Sequence, residues 1–297
     1  MTARWVRSDL EIPDAVFQAC SIYLLLAIGL KGGSALSQSS VQDIASPVGM
    51  ALLLGVVTPF SAFFLLKWFA KLDRINAAAT AAHYGSVSAV TFLASMEAAK
   101  IAGWQPEGYL PALVAILEVP GILIGLCLAK SGKSGHLKRA VHEVLTGKSM
   151  ILLVGGLLIG WSSGAEKVET VAPFFITPFK GVLCLFLLEL GMVAARRMED
   201  LKNAGWRLIV LGCLLPLIHG SIAVIGGQFA GMSVGGAAVF GAVVGSASYI
   251  AAPAAVRISL PQASPGIYLT MALGVTFPIN LAIGIPFFIA LSQYIAA

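Results

Sequence analysis

Charged residues are scarce in this chain, and their scarcity argues against a soluble fold. Of the 297 residues only 11% are charged, whereas 58% are hydrophobic, and the mean hydropathy is +0.90. A soluble protein of this length has no need for so much apolar surface. The composition therefore predicts an all-α membrane protein with many spans.

Cysteine is also rare, and no arrangement of residues points to catalysis. The four cysteines (Cys20, Cys127, Cys184 and Cys213) all fall in apolar stretches, without the spacing of a metal site or a disulfide framework. The sequence has no Ser-His-Asp order, no paired catalytic carboxylates and no phosphate-binding loop. We therefore do not expect an enzyme.

Long apolar stretches recur at lengths that fit a membrane. A hydrocarbon core about 30 Å thick is crossed by a helix of about 20 residues. Nine stretches are predicted to be spans: 15–36, 47–71, 75–103, 109–130, 149–163, 172–195, 207–226, 234–256 and 266–295.

If all nine stretches cross the membrane, most of the basic residues lie on the same side of it. That side has Arg4, Arg7, Lys67, Lys71, Arg74, Lys130, Lys133, Lys138, Arg139, Lys148, Arg196, Arg197, Lys202, Arg207 and Arg257. The other side has only Lys31, Lys100, Lys167 and Lys180. Positive residues concentrate in the cytoplasm, so we expect a cytoplasmic N-terminus, an outside C-terminus and the cell inner membrane. The net charge of +5 then requires no nucleic-acid partner.

Four landmarks occur twice, about 160 residues apart, in the same order. The pairs are Gly29 and Gly191, Pro59 and Pro216, Gly85 and Gly245, and Pro120 and Pro278. Internal duplication with interrupted helices at matching places is typical of secondary transporters. We expect a first repeat at 1–130, a cytoplasmic linker at 131–148 and a second repeat at 149–297.

The two predicted repeats differ by one span. The second has five spans, whereas the first has four, because nothing before residue 15 matches 149–163. An odd number of spans would give the repeats opposite orientations in the membrane. We expect an inverted repeat of four plus five spans here, and five plus five in a full form that has one more helix at its N-terminus.

Two of the predicted spans are interrupted by small residues. The sites are Gly85-Ser86-Val87-Ser88 and Gly245-Ser246-Ala247-Ser248, the second followed by Pro253. Glycine permits unwinding, and serine hydroxyls can satisfy the freed backbone groups. If both spans break, two helix N-termini meet and offer N–H groups to a small anion. These eight residues are the predicted substrate site; the alternative is that they only allow close helix packing.

An anion entering a negatively charged cell climbs about 2.3 kcal/mol per charge per 100 mV, so its accumulation needs a co-transported cation. Sodium prefers oxygen ligands, as other hard cations do. The predicted ligands are Thr91, Glu118, Thr276 and Asn280, with Glu189 a further candidate. Glu118 could instead only bind backbone freed by Pro120. His83 and His219 are expected to be packing residues with one hydrogen bond.

At five motifs the chain resembles a known family. The motifs are Ile12-Pro13, Gly29 to Gly33, Ala82 to Phe92, Leu117 to Gly121, and Ser246 to Arg257. They are similar to those of the sodium-dependent bicarbonate transporters of the cyanobacterial type and their bacterial relatives. The resemblance covers nearly the whole chain; the missing first helix and the short linker depart from the family pattern.

The resemblance implies a homotrimer whose protomers each have a core domain with two crossed broken helices and a gate domain. It implies elevator-type symport of bicarbonate with sodium. Bicarbonate would bind at Gly85–Ser88 and Ser246–Ser248, with sodium close by, and a PII-like regulatory protein would dock from the cytoplasm.

Three other functions stay open. A symporter for another small anion would share the site, whereas an antiporter on a similar fold would need a pair of acidic residues at the breaks. A non-transporting membrane scaffold would rely on the basic 130–148 connector.

Overall fold

The computed structural model describes residue 10 and residues 12–129, 134–197 and 205–297. Within these residues the chain is helical, with no strand. Of the basic residues counted above, Arg4, Arg7, Lys130, Lys133 and Lys202 lie outside the described residues, as do the side chains of Arg196 and Arg197.

The helices follow one another with short connections. They are α1 (Asp14–Leu36), α2 (Val41–Trp68), α3 (Arg74–Gly85), α4 (Ala89–Ile101), α5 (Leu110–Leu128), α6 (Ser134–Thr146), α7 (Lys148–Thr170), α8 (Ala172–Phe175), α9 (Phe179–Arg197), α10 (Trp206–Phe229), α11 (Val234–Val244), α12 (Ala251–Ser259) and α13 (Pro265–Ala296). Two π-helical segments, Thr270–Thr276 and Asn280–Gly284, lie inside α13.

Seven helical segments among the described residues are long and apolar enough to cross a membrane. They correspond to seven of the nine predicted stretches. The other two, 75–103 and 234–256, are each divided into two short helices, α3 with α4 and α11 with α12. Both divisions fall at the predicted Gly-Ser motifs, so the prediction of two broken helices is confirmed.

Apolar side chains cover the outer faces of α2 and α10. The exposed residues include Leu52, Leu53, Val56, Val57 and Phe60 on α2, and Leu214, Ile218, Ile222 and Ile225 on α10. Contiguous apolar surfaces of this kind are rare in water-soluble monomers. Together with the seven long helices, they identify an integral membrane protein.

Helices α1 and α7 run parallel and pack through glycines. Gly29 lies against Gly156, and one turn further along Gly33 lies against the Leu157 carbonyl. On the other helix Gly160 lies against the Leu30 carbonyl. The absence of a side chain at these positions lets the two backbones touch.

The start of α3 and the end of α5 lie close together at one end of the helix bundle, here called the linker end. The Arg74 Nε donates a hydrogen bond to the Leu128 carbonyl over 2.8 Å. The Ser264 N–H, just after α12, donates to the Asn76 side-chain oxygen over 2.8 Å. Three segments of the chain therefore meet at this end.

A carboxylate caps α3 at the linker end. The Asp73 side chain accepts hydrogen bonds from the N–H groups of Ile75 and Asn76, at 3.0 and 3.1 Å. Partial burial alone would raise the pKa of Asp73, but hydrogen bonds from Asn76 and Ile75 outweigh it and lower this pKa below its usual value. The ionised carboxylate thus stabilises the first turn of α3.

The end of α4 and the start of α11 lie close together at the opposite end of the bundle. The Ser233 N–H, which precedes α11, donates to the Glu107 carboxylate in the loop after α4. Gly108 in the same loop packs against Ala35 near the end of α1. The chain therefore passes from the linker end to the opposite end through α3 and α4, and returns through α11 and α12. The two broken segments run in opposite directions and neither turns back.

The predicted cytoplasmic linker, 131–148, contains helix α6. Lys138 and Arg139 are exposed, but Val144 is only 2% exposed. Helix α6 packs beside α12, and a cleft lined by Lys138, Arg139, His142, Glu143 and Ile258 lies between them. The linker is therefore a packed amphipathic helix over its described residues.

We expect Gly33→Ala to destabilise the protein, because a methyl group there would overlap the Leu157 carbonyl and push α1 away from α7. Overpacking of this kind costs about 1–3 kcal/mol. The measurement is the melting temperature of the protein purified in detergent. The matched control is Gly155→Ala on α7, where an added methyl meets nothing; equal melting temperatures for both variants would contradict the proposed contact.

Candidate functional site

The first break separates α3 from α4. Helix α3 ends at Gly85, and the backbone is extended at Ser86 (φ −105°, ψ 171°) and at Ser88 (φ −98°, ψ 110°). The Ser88 side-chain oxygen accepts a hydrogen bond from the Thr91 N–H at 3.1 Å. This is a helix N-cap, so Ser88 fixes the N-terminus of α4 in the protein interior.

The second break separates α11 from α12. Helix α11 ends at Val244, the chain is unwound over 245–250, and α12 begins at Ala251. The Ala252 N–H donates to the Ser248 side-chain oxygen over 3.3 Å. Serine therefore satisfies one N–H at the start of each half-helix.

Two hydrogen bonds join the breaks to each other. The Ser88 N–H donates to the Ser246 side-chain oxygen, and the Ser248 N–H donates to the His83 carbonyl, each over 2.8 Å. The Ser246 hydroxyl itself donates to the Val243 carbonyl over 2.6 Å. All three serines are at most 4% exposed. The two unwound segments thus cross in contact, deep in the bundle.

A small cavity of about 10 Å³ lies where the breaks cross. Its lining includes Ser88 and Ala89 at the start of α4, Ser248 just before α12, and Glu118 from α5. The remaining lining residues are Val87, Ser149, Tyr249 and Ile250. The volume suits about one water molecule. The predicted meeting of two helix N-termini is therefore present, and a carboxylate faces the same space.

Some buried polar atoms near the breaks have no hydrogen-bond partner among the described residues. Two of them are the Ser86 hydroxyl oxygen and the Asn280 side-chain oxygen; Ser86 is 1% exposed and Asn280 is fully buried. The other end of the Asn280 amide donates to the Gly245 carbonyl over 3.0 Å. Because buried polar groups nearly always have a partner, these two atoms are candidates for binding a ligand or an ion.

The four predicted sodium ligands make different contacts in this structure. Glu118 lines the cavity, the Thr91 hydroxyl donates to the Ser88 side-chain oxygen over 3.1 Å, and Asn280 is bonded to the second break. Thr276 instead donates to the Gly212 carbonyl over 3.0 Å and shares a 2.6 Å hydrogen bond with the Tyr84 hydroxyl. No group of three His, Cys, Asp or Glu side chains that could hold a metal occurs in the described ranges.

The glycines at the breaks allow close packing, which was the alternative interpretation of the motifs. A methyl on Gly121 of α5 would overlap the Gly85 carbonyl. Similarly, a methyl on Gly245 would overlap the Pro216 carbonyl of α10. Ala247, also a predicted site residue, is buried in the hydrophobic core. Close packing and a polar cavity therefore occur at the same breaks, on different residues.

The two histidines named from the sequence have the expected packing roles. His83 stacks on Tyr268 with ring centroids 4.5 Å apart, and its Nδ1 lies 2.7 Å from the Ala79 carbonyl. The His219 Nε2 lies 2.7 Å from the Ser61 hydroxyl.

Some residues at the site were not predicted. Tyr249 and Ile250 line the cavity and directly follow the second serine motif, so their position in the sequence could have identified them. Ser149 also lines the cavity from the first turn of α7. It carries no sequence signal, because its place depends on how α7 packs.

The electrostatics of the cavity combine two partial positive charges with one carboxyl group. Each helix N-terminus carries the equivalent of roughly half a positive charge. Glu118 is 6% exposed, and no lysine or arginine lines the cavity. This combination of charges can attract both a small anion and a cation, although the cavity in this structure has room for only about one water molecule.

Comparison with known proteins agrees with this chemistry. A model of the Na+-dependent bicarbonate transporter superfamily matches residues 1–293. The chain belongs to the Na+-dependent bicarbonate transporter superfamily. A search of curated proteins found no significant match. The family expected from the motifs is thus confirmed.

We expect Ser246→Ala to destabilise the crossing, because the buried Ser88 N–H would lose its acceptor. An unsatisfied buried donor costs about 1–3 kcal/mol. The readout is the melting temperature in detergent. Ser221→Ala is the control, since the Ser221 hydroxyl bonds only to the Leu217 carbonyl one turn earlier on the same helix. An equally small effect of both changes would show that the cross-link contributes little.

Proposed function

We propose that this protein is a sodium-dependent bicarbonate symporter that binds bicarbonate where its two broken helices cross. The observation that carries this proposal is the cavity shared by the N-termini of α4 and α12, with Ser88, Ser248 and Glu118 in its lining. The protein moves its substrate without converting it chemically.

The cavity chemistry suits a small monovalent oxyanion. Backbone N–H groups and serine hydroxyls donate hydrogen bonds to oxygen, and two helix N-termini favour negative charge. No cationic side chain lines the cavity, so a multivalent anion would lack sufficient compensation. Bicarbonate has one charge and three oxygens, which match these donors. Of the predicted substrate set, Gly85 to Ser88 and Gly245 to Ser248, the residues that line the cavity are Val87, Ser88 and Ser248.

Sodium is the cation that this site would require. An anion beside ionised Glu118 is repelled, and a cation between them converts the repulsion into attraction. The proposed ligands are the oxygens of Glu118, Thr91 and Asn280, with Thr276 completing the set if its hydroxyl leaves Tyr84. Each ion then improves the binding of the other, which is the thermodynamic basis of symport.

Transport also requires movement, because a cavity of about 10 Å³ does not admit bicarbonate. We propose an elevator mechanism in which the crossed helices belong to a core domain that moves against a gate domain. The opposite directions of the two broken segments support an inverted repeat, with boundaries at 1–130, 131–148 and 149–297. The protein would work as a homotrimer.

The orientation follows from charge. The described basic residues at the linker end include Lys67, Lys71, Arg74, Lys138, Arg139, Lys148, Arg207 and Arg257. We propose that the linker end faces the cytoplasm of a cell with this protein in its inner membrane. The exposed basic side of α6 would then be open to a PII-like regulatory protein.

We expect proteoliposomes containing the protein to take up labelled bicarbonate when sodium is higher outside, at fixed pH. Ser86→Ala should raise the KM for bicarbonate about tenfold, the effect of one hydrogen bond to a charged ligand. It should not lower the melting temperature, because the Ser86 hydroxyl has no partner among the described residues.

Ser221→Ala is the control for the Ser86 variant and should transport normally. Absence of sodium-stimulated uptake by the folded wild-type protein would overturn the symporter proposal. Competition by formate or nitrite that exceeds competition by bicarbonate would reassign the substrate to another small anion.

Glu118→Gln should raise the sodium concentration for half-maximal uptake at least tenfold, because it removes the negative charge that attracts the cation. Glu166→Gln, an exposed acid on α7, is the matched control and should leave this concentration unchanged. The measurement is initial uptake rate against sodium concentration. A normal sodium dependence in Glu118→Gln would remove Glu118 from the proposed ion site.

A further inference from the structure

A second, larger cavity opens at the opposite end of the bundle, away from the linker. Its volume is about 240 Å³, which is room for a small anion with several waters. We call it the lysine vestibule. The side chains used below are Lys31, Leu93, Met96, Glu97, Lys100 and Lys180.

The vestibule carries an excess of positive charge. Lys31, Lys100 and Lys180 line it together with one acid, Glu97. The Lys180 ammonium pairs with the Glu97 carboxylate over 2.5 Å, and with three lysines against one acid the lining keeps a net positive charge. Lys100 is repelled by Lys31 and Lys180 and attracted by Glu97. Like charges in one cavity repel each other, and a bound anion relieves that repulsion.

Favourable interactions between lysine charges and helix ends do not explain why the three lysines lie together. Lys100 lies in the last turn of α4, where a positive charge is favourable. Lys180, however, lies in the first turn of α9, where a positive charge is unfavourable. The charge count places four lysines on the side of the membrane that has few basic residues. Three of these four lysines contribute to the lining of this one cavity, and only Lys167 does not.

A line of cavities connects the vestibule with the crossed breaks. Leu93 lines both the vestibule and a smaller cavity, which is also lined by Ala89 and Ile250. Ala89 and Ile250 in turn line the cavity that contains Ser88 and Glu118. On α4, Ala89, Leu93, Glu97 and Lys100 recur at three- or four-residue spacing, so they share one helix face.

The line is closed in this structure. Leu93 is 2% exposed, and Phe186 of α9 is 3% exposed. Both line the intermediate cavity, which measures about 10 Å³. Apolar side chains therefore separate the charged vestibule from the crossed breaks.

We propose that the lysine vestibule is an anion-capture site that concentrates small oxyanions at the outer mouth of the path to the crossed breaks, with Leu93 and Phe186 as the closed barrier. This proposal rests on the proposed function. The lysines attract the anion from solution, and the α4 face leads it inward. Glu97 limits the attraction by pairing with Lys180.

The first test is uptake of labelled bicarbonate by the double variant Lys31→Gln/Lys100→Gln. Its KM should rise about threefold to tenfold at low ionic strength, with the maximal rate within a factor of two, because only capture is weakened. Glu97→Gln frees Lys180 and should lower the KM. Lys167→Gln, which removes a positive charge outside the vestibule, is the control and should behave as wild type. An unchanged KM in the double variant overturns the capture site.

The second test does not require transport. In a background with all four cysteines replaced by alanine, Met96→Cys places a thiol in the vestibule. An anionic methanethiosulfonate should modify it at least threefold faster than a cationic one, after correction for their rates with a free small thiol. Adding Lys31→Gln/Lys100→Gln should abolish this preference.

The two tests separate the two proposals. Wild-type protein that fails to take up bicarbonate but prefers the anionic reagent overturns the symporter and keeps the anion vestibule. Sodium-driven uptake without any reagent preference keeps the symporter and overturns the vestibule.

Discussion

The contact between the two unwound segments is the constraint on which the rest of this structure depends. Unwound backbone inside a membrane protein must find hydrogen-bond partners, because lipid offers none. Here each break supplies partners to the other: Ser246 accepts from the Ser88 N–H, and the His83 carbonyl accepts from the Ser248 N–H. Without the other segment, each unwound segment would bury backbone groups that lack a hydrogen-bond partner. The crossing therefore fixes where both half-helices begin, and so where a polar cavity can exist.

Glycine contacts hold the crossing from outside. Helix α5 reaches the first break because Gly121 and Gly85 touch, and α10 reaches the second because Gly245 lies against the Pro216 carbonyl. The close approach of α5 also brings Glu118 to the cavity. Close packing and the polar cavity thus occur at the same two breaks, on different residues.

The sequence located both breaks to within a residue or two, because adjacent glycine and serine inside an apolar span indicate either close packing or unwinding. It also predicted the family and the buried location of Glu118. It did not predict that the Thr276 hydroxyl binds Tyr84, because this contact depends on how α13 packs against α3. Nor did it predict helix α6, whose high charge resembled a solvated connection. The helical spacing of Val141 and Val144 was visible but was outweighed by the charged neighbours.

The distribution of full and partial charges fits a carrier that must both bind and release its substrate. Full positive charges lie in the lysine vestibule, open to solvent, where screening keeps attraction weak. At the crossed breaks the positive charge comes only from helix termini, and the one full charge is the carboxylate of Glu118 in its ionised form. A lysine in place of these termini would bind an anion in the absence of sodium and resist its release. In the proposed mechanism a carboxylate stands there instead, so that anion affinity would depend on the cation and loss of sodium on the far side would loosen both ions together.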